Sequence, residues 1–291
     1  MKLSSLQLAA FAETAKTLNF SKAAMNLCIT QSALSQRIQK LEARLGDALF
    51  LRTAKRVQLT HMGERLLRYC STQAALEQEF LAQTELADHN RLVGTVRVAG
   101  FSTIMSSVIL PHLALLCREH PEIDLELHSM EMTALLPALE SGLVDFIVTG
   151  EEICRPSVRI MTIGFEYYVL TCSASLPAPN DVFLDHDKED PITASFWRQQ
   201  TSQPRSWRTY YLDDIHMIIA GVKNGLGRAV LPLHLVKNDE TITVLDDFTP
   251  LKVPVYLACY KNEWQTRLQR VLWQRLQCAG NPLEDCVRQR T

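Results

Sequence analysis

Long apolar runs are absent from this 291-residue chain, and none approaches the ~20 residues that a helix needs to cross a bilayer. The N-terminus, MKLSSLQLAAFAE, also lacks the pattern of a secretory signal peptide. The eight cysteines form no Cys-x-x-Cys pair and have no histidine at zinc-finger spacing. The sequence therefore predicts a cytoplasmic protein with reduced thiols, no membrane contact and no bound metal.

Catalytic motifs are also absent. There is no Walker loop, no Gly-x-Gly-x-x-Gly fingerprint and no nucleophile elbow. The two clusters that combine histidine with carboxylates lie in polar stretches without a third ligand, at Asp185-His186-Asp187 and Asp213-Asp214-His216. Because a solvated loop is the default for such stretches, we expect neither an enzyme nor a cofactor-binding protein.

Positive charge is concentrated at one end of the chain. The formal net charge is −2, yet residues 1–70 carry 11 Lys and Arg against 4 Asp and Glu, whereas the remainder carries 19 against 28. A basic head on an acidic body is typical of a protein that contacts nucleic acid through its head. A solvated basic surface on a small helical domain is the alternative.

A pair of short amphipathic helices is predicted within residues 20–52. Ser21 is a suitable N-cap for the first helix, which runs to Leu27, because a serine hydroxyl can accept from free backbone N–H groups. Gly46 can adopt positive φ and ends the second helix, which opens at Thr30 or Gln31. Apolar residues at helical spacing form a buried stripe on the second helix, and an upstream helix adds a third wall to the core: Leu34, Ile38, Leu41 and Leu45, with Leu8, Phe11, Ala12 and Ala15 upstream.

The opposite face of the second helix carries short polar and amide side chains of the kind that read base edges in a major groove. A short basic and β-prone segment follows and predicts a two-stranded wing along the phosphates. The sequence thus predicts a winged helix-turn-helix in which these residues contact DNA: Ser21, Thr30, Gln31, Ser32, Ser35, Gln36 and Gln39 on the helices, with Arg52, Lys55, Arg56 and Thr60 around the wing.

The segment AAMNLCITQSALSQRIQKLEARLGDALFLR, followed by VQLTHMGERLL, resembles the N-terminal domain of LysR-type transcriptional regulators. The matching positions include Ala23-Ala24, Thr30-Gln31-Ser32, Leu45-Gly46, Leu59-Thr60 and Gly63. The resemblance extends more weakly over almost the whole chain, and LCITQSALSQRI is most similar to regulators of arginine and lysine export. It implies a DNA-binding regulator that forms homodimers or dimers of dimers, with RNA polymerase as a further partner.

Residues 64–93 contain neither glycine nor proline, which predicts one long helix. Its apolar residues follow a heptad-like spacing interrupted by glutamines, so the pattern indicates a modest coiled coil: Leu66, Tyr69, Leu76, Phe80 and Ala87, with Gln73 and Gln83. An amphipathic helix packed on its own body is the alternative. The family resemblance favours a dimerisation helix.

Strands and helices alternate after Gly94, which predicts parallel βαβ units. The predicted elements are strands at TVRVAGF, IDLELHS, VDFIVTG, VRIMTIGFEYYVLTC and VPVYLACY, with helices at 104–119, 133–141 and 264–278. We expect a polar loop at 175–191, a strand at PITAS, and a helix followed by a strand in IHMIIAGVKNGLGRAVLP. By resemblance, these elements form two α/β lobes like those of a periplasmic binding protein.

The expected domains are therefore residues 1–62 for DNA binding, 63–93 for the linker helix and 94–291 for effector binding. One lobe of the effector domain comprises 94–163 plus 262–291, and the other comprises 164–261. The cleft between such lobes would hold a small, anionic effector.

Ser102 and Thr103 lie where the first strand of the body meets a helix, and a helix N-terminus favours anions. The resemblance assigns effector contacts to this junction, although Ile104 stands where many members have a hydroxyl. A simple helix cap is the alternative. Weaker candidates are Thr133 at the next helix and, on the opposing wall by resemblance, Thr193, Ser195 and Phe196. Arg228 could face the cleft as an anion partner or reach solvent.

The expected function is a transcriptional regulator whose binding to double-stranded DNA is controlled by the effector. Two other classes remain open: a small-molecule binding protein of transport type, and an architectural DNA-binding protein without ligand control. The helix-turn-helix argues against the first, and a two-lobe body of roughly 200 residues, about the size of a complete domain, argues against the second.

Overall fold

The computed structural model describes residues 3–52, 56–85, 91–261 and 265–278. The chain forms two compact units, each built from several segments. The first comprises Met1–Ala99, Cys117–Ile147 and Cys259–Leu272, and the second comprises Gly100–Leu116, Val148–Ala258 and Trp273–Thr291. No helix in the described part of the chain combines the length and the apolar character needed to cross a membrane.

The first unit begins with the winged helix-turn-helix that the sequence predicts. Its elements are α1 (Ser5–Thr17), α2 (Phe20–Asn26), α3 (Gln31–Leu45), β1 (Phe50–Arg52), β2 (Val57–Leu59) and α4 (His61–Glu85). The three helices enclose one apolar core in which Phe11, Leu34, Ile38 and Leu41 are fully buried. The predicted stripe of α3 is therefore confirmed, with Leu45 partly buried at its end.

Two details of these helices differ from the expectation. Asn19, and not Ser21, caps α2, because its side chain accepts a hydrogen bond of 3.0 Å from the backbone N–H of Lys22. On α1, Thr14 is fully buried whereas Ala12 is only partly so, since the Thr14 hydroxyl donates to the carbonyl of Ala10 and needs no water. The caps of α3 are confirmed: the Thr30 hydroxyl accepts from an N–H of the first turn, and the residue that follows α3 has a φ of 75°.

The long helix α4 starts at His61, three residues before the predicted start of the linker helix. Arg91, Leu92 and Val93 are not helical, so the prediction of a helix to Val93 is wrong at its C-terminal end, and Ala87 lies outside the described residues. Glycine is required at Gly63, because a Cβ there would lie 2.3 Å from the carbonyl oxygen of Leu49. This close approach fixes α4 against the wing.

The remaining elements follow in chain order. They are β3 (Gly94–Gly100), α5 (Ser102–Ile104), a π-helical segment (Met105–Ile109), α6 (Leu110–Glu119), β4 (Ile123–Ser129), α7 (Met132–Ser141), β5 (Phe146–Thr149), β6 (Val158–Ser173), β7 (Val182–Asp185), α8 (Ile192–Arg198), β8 (Arg208–Tyr211), α9 (Ile215–Lys223), β9 (Ala229–Pro232), α10 (Leu233–Val236), β10 (Ile242–Val244), β11 (Leu251–Tyr260) and α11 (Arg267–Cys278).

In the first unit, β3 lies between β4 and β5. The N-terminus of α11 is held by α4, because the backbone N–H of Arg267 donates to both carboxylate oxygens of Glu79, at 3.1 and 3.2 Å. A carboxylate at this position also complements the positive end of the helix dipole. The linker helix is therefore anchored to the body within this unit.

The second unit is organised around the long strand β6. Its C-terminal half pairs antiparallel with β9 and with β10, while β7 and β8 form a separate parallel pair. An apolar cluster that includes Phe183, Phe196 and Trp197 fills the space beside these strands. The Trp197 ring packs edge-on against both phenylalanines, at centroid distances of 5.8 and 5.5 Å.

Several predicted elements of the body are wrong. The expected polar loop contains β7, whose Val182, Phe183 and Leu184 are buried, and the expected strand at PITAS is the helix α8. The residues of α8 favour a strand locally, but burial of its aromatic side chains decides the conformation. The final helix begins at Arg267 and not at Trp264, which lies outside the described residues.

Candidate DNA interface and effector site

The N-terminal end of α3 presents a connected set of polar side chains. The Ser21 hydroxyl on α2 donates to the Gln31 side-chain oxygen at 3.2 Å, and the hydroxyls of Thr30 and Ser32 are 3.0 Å apart. These contacts join the starts of the two helices on their exposed side. Ser21 therefore orients the side chain of Gln31 and does not cap α2.

Further along α3, Gln36 and Gln39 are exposed and Ser35 is half-buried. All of them lie away from the stripe formed by Leu34, Ile38 and Leu41. Because the stripe is anchored in the core, the polar face is a fixed surface, and its exposed amides can donate and accept at base edges.

The wing is a two-stranded antiparallel ribbon in which Arg52 is paired with Val57 across the strands. Arg56 is exposed next to it, and Lys55 lies outside the described residues. Thr60 has a structural role, since its hydroxyl donates to the Ala48 carbonyl at 2.6 Å and accepts from the N–H of Gly63 at 3.0 Å. Because its hydroxyl already makes these two hydrogen bonds, Thr60 is less suited to contact a DNA phosphate.

Ser102 and Thr103 open a continuous helical stretch that runs through α5, the π-helical segment and α6. Ser102 is exposed, Thr103 is half-buried, and the N-cap residue, Phe101, makes no side-chain hydrogen bond to the first turn. Ile104 is fully buried and presents nothing at the surface. The helix starts two residues earlier than the sequence predicts, so both hydroxyl residues belong to its first turn.

A cluster of ionisable residues lies beside Thr103 and was not predicted from the sequence. Glu166 on β6 is 1% exposed, accepts a hydrogen bond from the Tyr168 hydroxyl at 2.7 Å, and lies 3.5 Å from the Thr103 hydroxyl. The Nδ1 atom of His234 is 3.6 Å from the same carboxylate. Residues 166 and 168 share one face of β6, but only a structure reveals that this face is buried.

Burial sets the protonation of this cluster. It raises the pKa of Glu166 to about 7, although hydrogen bonds from Tyr168 and Thr103 oppose the rise. It lowers the pKa of His234 to about 4, with a contribution from the charge of Lys237. At neutral pH the histidine is thus uncharged, and the carboxyl group is close to its titration midpoint.

The candidates on α8 are engaged in contacts within the protein. Phe196 is fully buried in the apolar cluster, and its contact with the effector stays a prediction. Thr193 is 2% exposed and its hydroxyl donates to the carboxylate of Asp185. Ser195 is half-buried and accepts from the Arg198 guanidinium at 2.9 Å.

Burial also raises the pKa of Asp185, to about 6, with a further rise from Asp190 and an opposing effect of the Thr193 hydrogen bond. Thr133 lies in the first unit and is exposed in the first turn of α7, as its second residue. Arg228 contacts the side chain of Asn180 in the second unit. Among the described residues, no group of three or more histidine, cysteine or carboxylate side chains has an arrangement that could hold a metal ion.

Two family models match the chain. Residues 6–64 match the bacterial regulatory helix-turn-helix protein of the lysR family, and residues 89–280 match the LysR substrate binding domain. The HTH-type transcriptional regulator PgrR of Escherichia coli is 29% identical over 283 residues, which cover 87% of this chain and 90% of that protein.

Solved structures have the same fold. ArgP from Mycobacterium tuberculosis superimposes with a TM-score of 0.79 at 22% identity, covering 97% of this chain and 99% of its own. LysG from Corynebacterium glutamicum, with bound effector Arg, gives 0.73 at 20% identity, covering 95% and 98%.

A winged helix-turn-helix joined to an effector-binding body defines a ligand-responsive DNA-binding protein. The chain belongs to the family of LysR-type transcriptional regulators. It is a transcriptional regulator and not an enzyme, with a DNA-binding domain and a substrate-binding domain of the LysR family. The transport-type and architectural alternatives are set aside.

Proposed function

We propose that the regulator acts in the bacterial cytoplasm, reads its operator with the N-terminal end of α3, and responds to an effector held at Ser102 and Thr103. The proposal assigns residues 1–62 to DNA binding, 63–93 to the linker helix and 94–291, with its two lobes, to effector binding. The observation that carries the proposal is the first turn after Phe101, which has no N-cap side-chain hydrogen bond and carries two hydroxyls. The first N–H groups of a helix have no partner within the helix.

Base readout rests on the exposed amides of α3 and charge readout on the wing. The set assigned to the helices is Ser21, Thr30, Gln31, Ser32, Ser35, Gln36 and Gln39. Arg52, Lys55 and Arg56 are assigned to phosphates. Helix N-termini and their first turns are the part of a recognition helix that reaches base edges.

Replacing Gln36 with alanine should weaken binding to the specific operator by ~1–3 kcal/mol, because an amide paired with a base edge is lost. Binding to random DNA should change little. The matched variant Arg56→Ala should instead weaken both and lower the salt slope by ~1, the value for one phosphate contact. Mobility-shift titrations at several salt concentrations distinguish the two, and equal losses on both DNAs for Gln36→Ala would contradict base readout.

Anion binding at the Ser102–Thr103 turn follows from the helix dipole and the free N–H groups. The effector should therefore carry a carboxylate. LysG, whose structure contains the amino acid arginine as effector, supports an effector that carries a carboxylate. The helix-turn-helix sequence resembles that of regulators of arginine and lysine export, which also supports an effector with a carboxylate.

The double variant Ser102→Ala, Thr103→Ala should keep its DNA affinity but bind the effector more weakly by ~1–3 kcal/mol, since each hydroxyl hydrogen bond contributes ~0.5–1.5 kcal/mol. Calorimetry with the standard L-amino acids as probes measures the loss. Ser106→Ala, Ser107→Ala is a matched control, because these exposed hydroxyls donate to the carbonyls of Ser102 and Thr103 inside the helix. An unchanged affinity in the first variant would move the site elsewhere.

A further inference from the structure

A buried acid without a cationic partner is the feature of the second unit that the anion site does not explain. Glu166 is 1% exposed, and its contacts are the neutral hydroxyls of Thr103 and Tyr168 and the ring of His234. Among the described residues, no lysine or arginine pairs with it. A buried carboxylate is costly unless a positive charge accompanies it.

The nearby cation is directed to the other side of the strand. The ammonium group of Lys252 lies over the rings of Phe165 and Tyr167, at 3.8 and 5.7 Å from their centroids. Successive side chains of a strand point to opposite faces, so residues 165 and 167 face away from Glu166. Lys252 therefore does not neutralise it.

The histidine beside Glu166 also has an open position. The side chain of His234 is 8% exposed, and in the part of the chain that the structure describes its buried Nε2 atom has no hydrogen-bond partner. With the ring proton on Nδ1, on the side of Glu166, Nε2 is an acceptor. Two acceptors thus lie beside the Thr103 turn, and both suit a group that only donates.

An effector carboxylate at the same turn sharpens the problem. The Thr103 hydroxyl is 3.5 Å from Glu166, so a carboxylate bound there would lie beside a second one. Two adjacent carboxylates repel unless a positive charge joins them or one takes up a proton. An ammonium group has three N–H donors and no acceptor, so it satisfies Glu166 and His234 while cancelling the repulsion.

We propose that Glu166 binds a cationic nitrogen of the effector, so that the effector is an amino acid or a similar zwitterion and not a simple organic acid. The inference rests on the proposed function, because it places the effector's carboxylate at Ser102 and Thr103. The helix that starts there passes into a π-helical segment at Met105–Ile109, a conformation that occurs mostly as short bulges and is frequent at functional sites.

The test is calorimetry on the full-length protein with two sets of probes. The first set is the standard L-amino acids, and the second is the carboxylic acids that lack their amino groups. At least one amino acid should bind the wild type, and Glu166→Gln should weaken it roughly 10- to 100-fold, the range expected for a lost charged hydrogen bond. The exposed Glu240→Gln is the matched control and should bind as the wild type does.

A pH series tests the charge itself. Between pH 8 and pH 6 Glu166 takes up a proton, so amino-acid affinity should fall in the wild type and stay level in Glu166→Gln. Tyr168 and His234 face Glu166 and remain uncharged over this range, because the pKa of the phenol is raised and that of the imidazole is lowered. Tyr168→Phe removes a donor to the carboxylate, so the midpoint of the wild-type fall should move to higher pH.

The outcomes separate the inference from the proposed site. If the deaminated acids bind as tightly as the amino acids and Glu166→Gln does not weaken binding, the amine contact is overturned while the anion site stands. If Ser102→Ala, Thr103→Ala also leaves every affinity unchanged, the proposed site itself is wrong. Should neither set of probes bind the wild type, both are overturned.

Discussion

Replacing Leu76 and Phe80 with glutamate should convert the regulator to monomers and sharply reduce its affinity for a paired operator. Phe80 is 65% exposed and Tyr69 on the same face of α4 is 51% exposed, whereas Leu76 is partly buried between them. Large apolar side chains exposed together on one helix face mark an interaction surface. At ~100° per residue, positions 69, 76 and 80 lie within a narrow stripe.

The loss of DNA affinity follows from the loss of dimerisation. A helix-turn-helix dimer binds two half-sites spaced by turns of the DNA helix. Linking the two binding events can raise the overall affinity by 10²–10⁴ without any new contact. Monomers bearing the double substitution should lose most of this gain, while their affinity for a single half-site should change little.

The matched control is Ala74→Glu, Gln78→Glu. Both positions are exposed on the opposite face of α4, so this variant adds the same number of negative charges and should remain oligomeric. Sedimentation measures the assembly state, and mobility shifts on one and two half-sites measure the binding. If Leu76→Glu, Phe80→Glu sediments as the wild type does, α4 is not the dimerisation surface.

The DNA-binding domain could be predicted from the sequence because its structure is determined locally. Helical spacing, the Thr30 cap and the glycine at 46 each act within one or two turns. The exceptions are the turns that follow α1 and α2, where Leu18 and Cys28 have φ angles of 47° and 54°, a conformation that neither residue type signals. The cap at Asn19 was missed for a similar reason, since Asn and Ser compete within a few residues.

The body could be predicted only in part, because tertiary burial decides its structure. The segment around β7 has the composition of a loop, yet Phe183 is buried between Trp197 and Trp207. The sequence likewise does not reveal that Phe196 is fully buried. Glu166 was invisible for the converse reason, since nothing in a strand-like sequence reveals that one acidic residue lies on the covered face.

The buried carboxyl group should also make stability depend on pH. Glu166 has a pKa of about 7 in the folded protein, against an ordinary value of 4.5 for glutamate. Below pH ~4.5 both states are protonated and the group contributes nothing. As the pH rises to ~7, the unfolded state loses its proton first, so the folded state is progressively destabilised, by about 3 kcal/mol in full at ~1.4 kcal/mol per pKa unit.

Glu166→Gln should therefore stabilise the ligand-free protein at pH 8 and have little effect at pH 5. His234 acts in the opposite sense: its lowered pKa makes stability fall as the pH drops from about 6.5 to 4. Both proteins share that contribution, so the difference between them isolates the carboxyl group. Three of the four tryptophans, Trp197, Trp207 and Trp273, belong to the second unit, so tryptophan fluorescence during urea unfolding mainly follows its transition.

The exposed Glu240→Gln should show no such pH-dependent gain, which controls for the change in net charge. A difference between Glu166→Gln and wild type that stays constant from pH 5 to pH 8 would mean that the carboxyl group titrates normally and is not desolvated. A saturating effector that brings an ammonium group should reverse the order at pH 8, because ligand binding stabilises the folded state in proportion to its affinity. The carboxylate that destabilises the empty protein would then be the group through which the effector stabilises it.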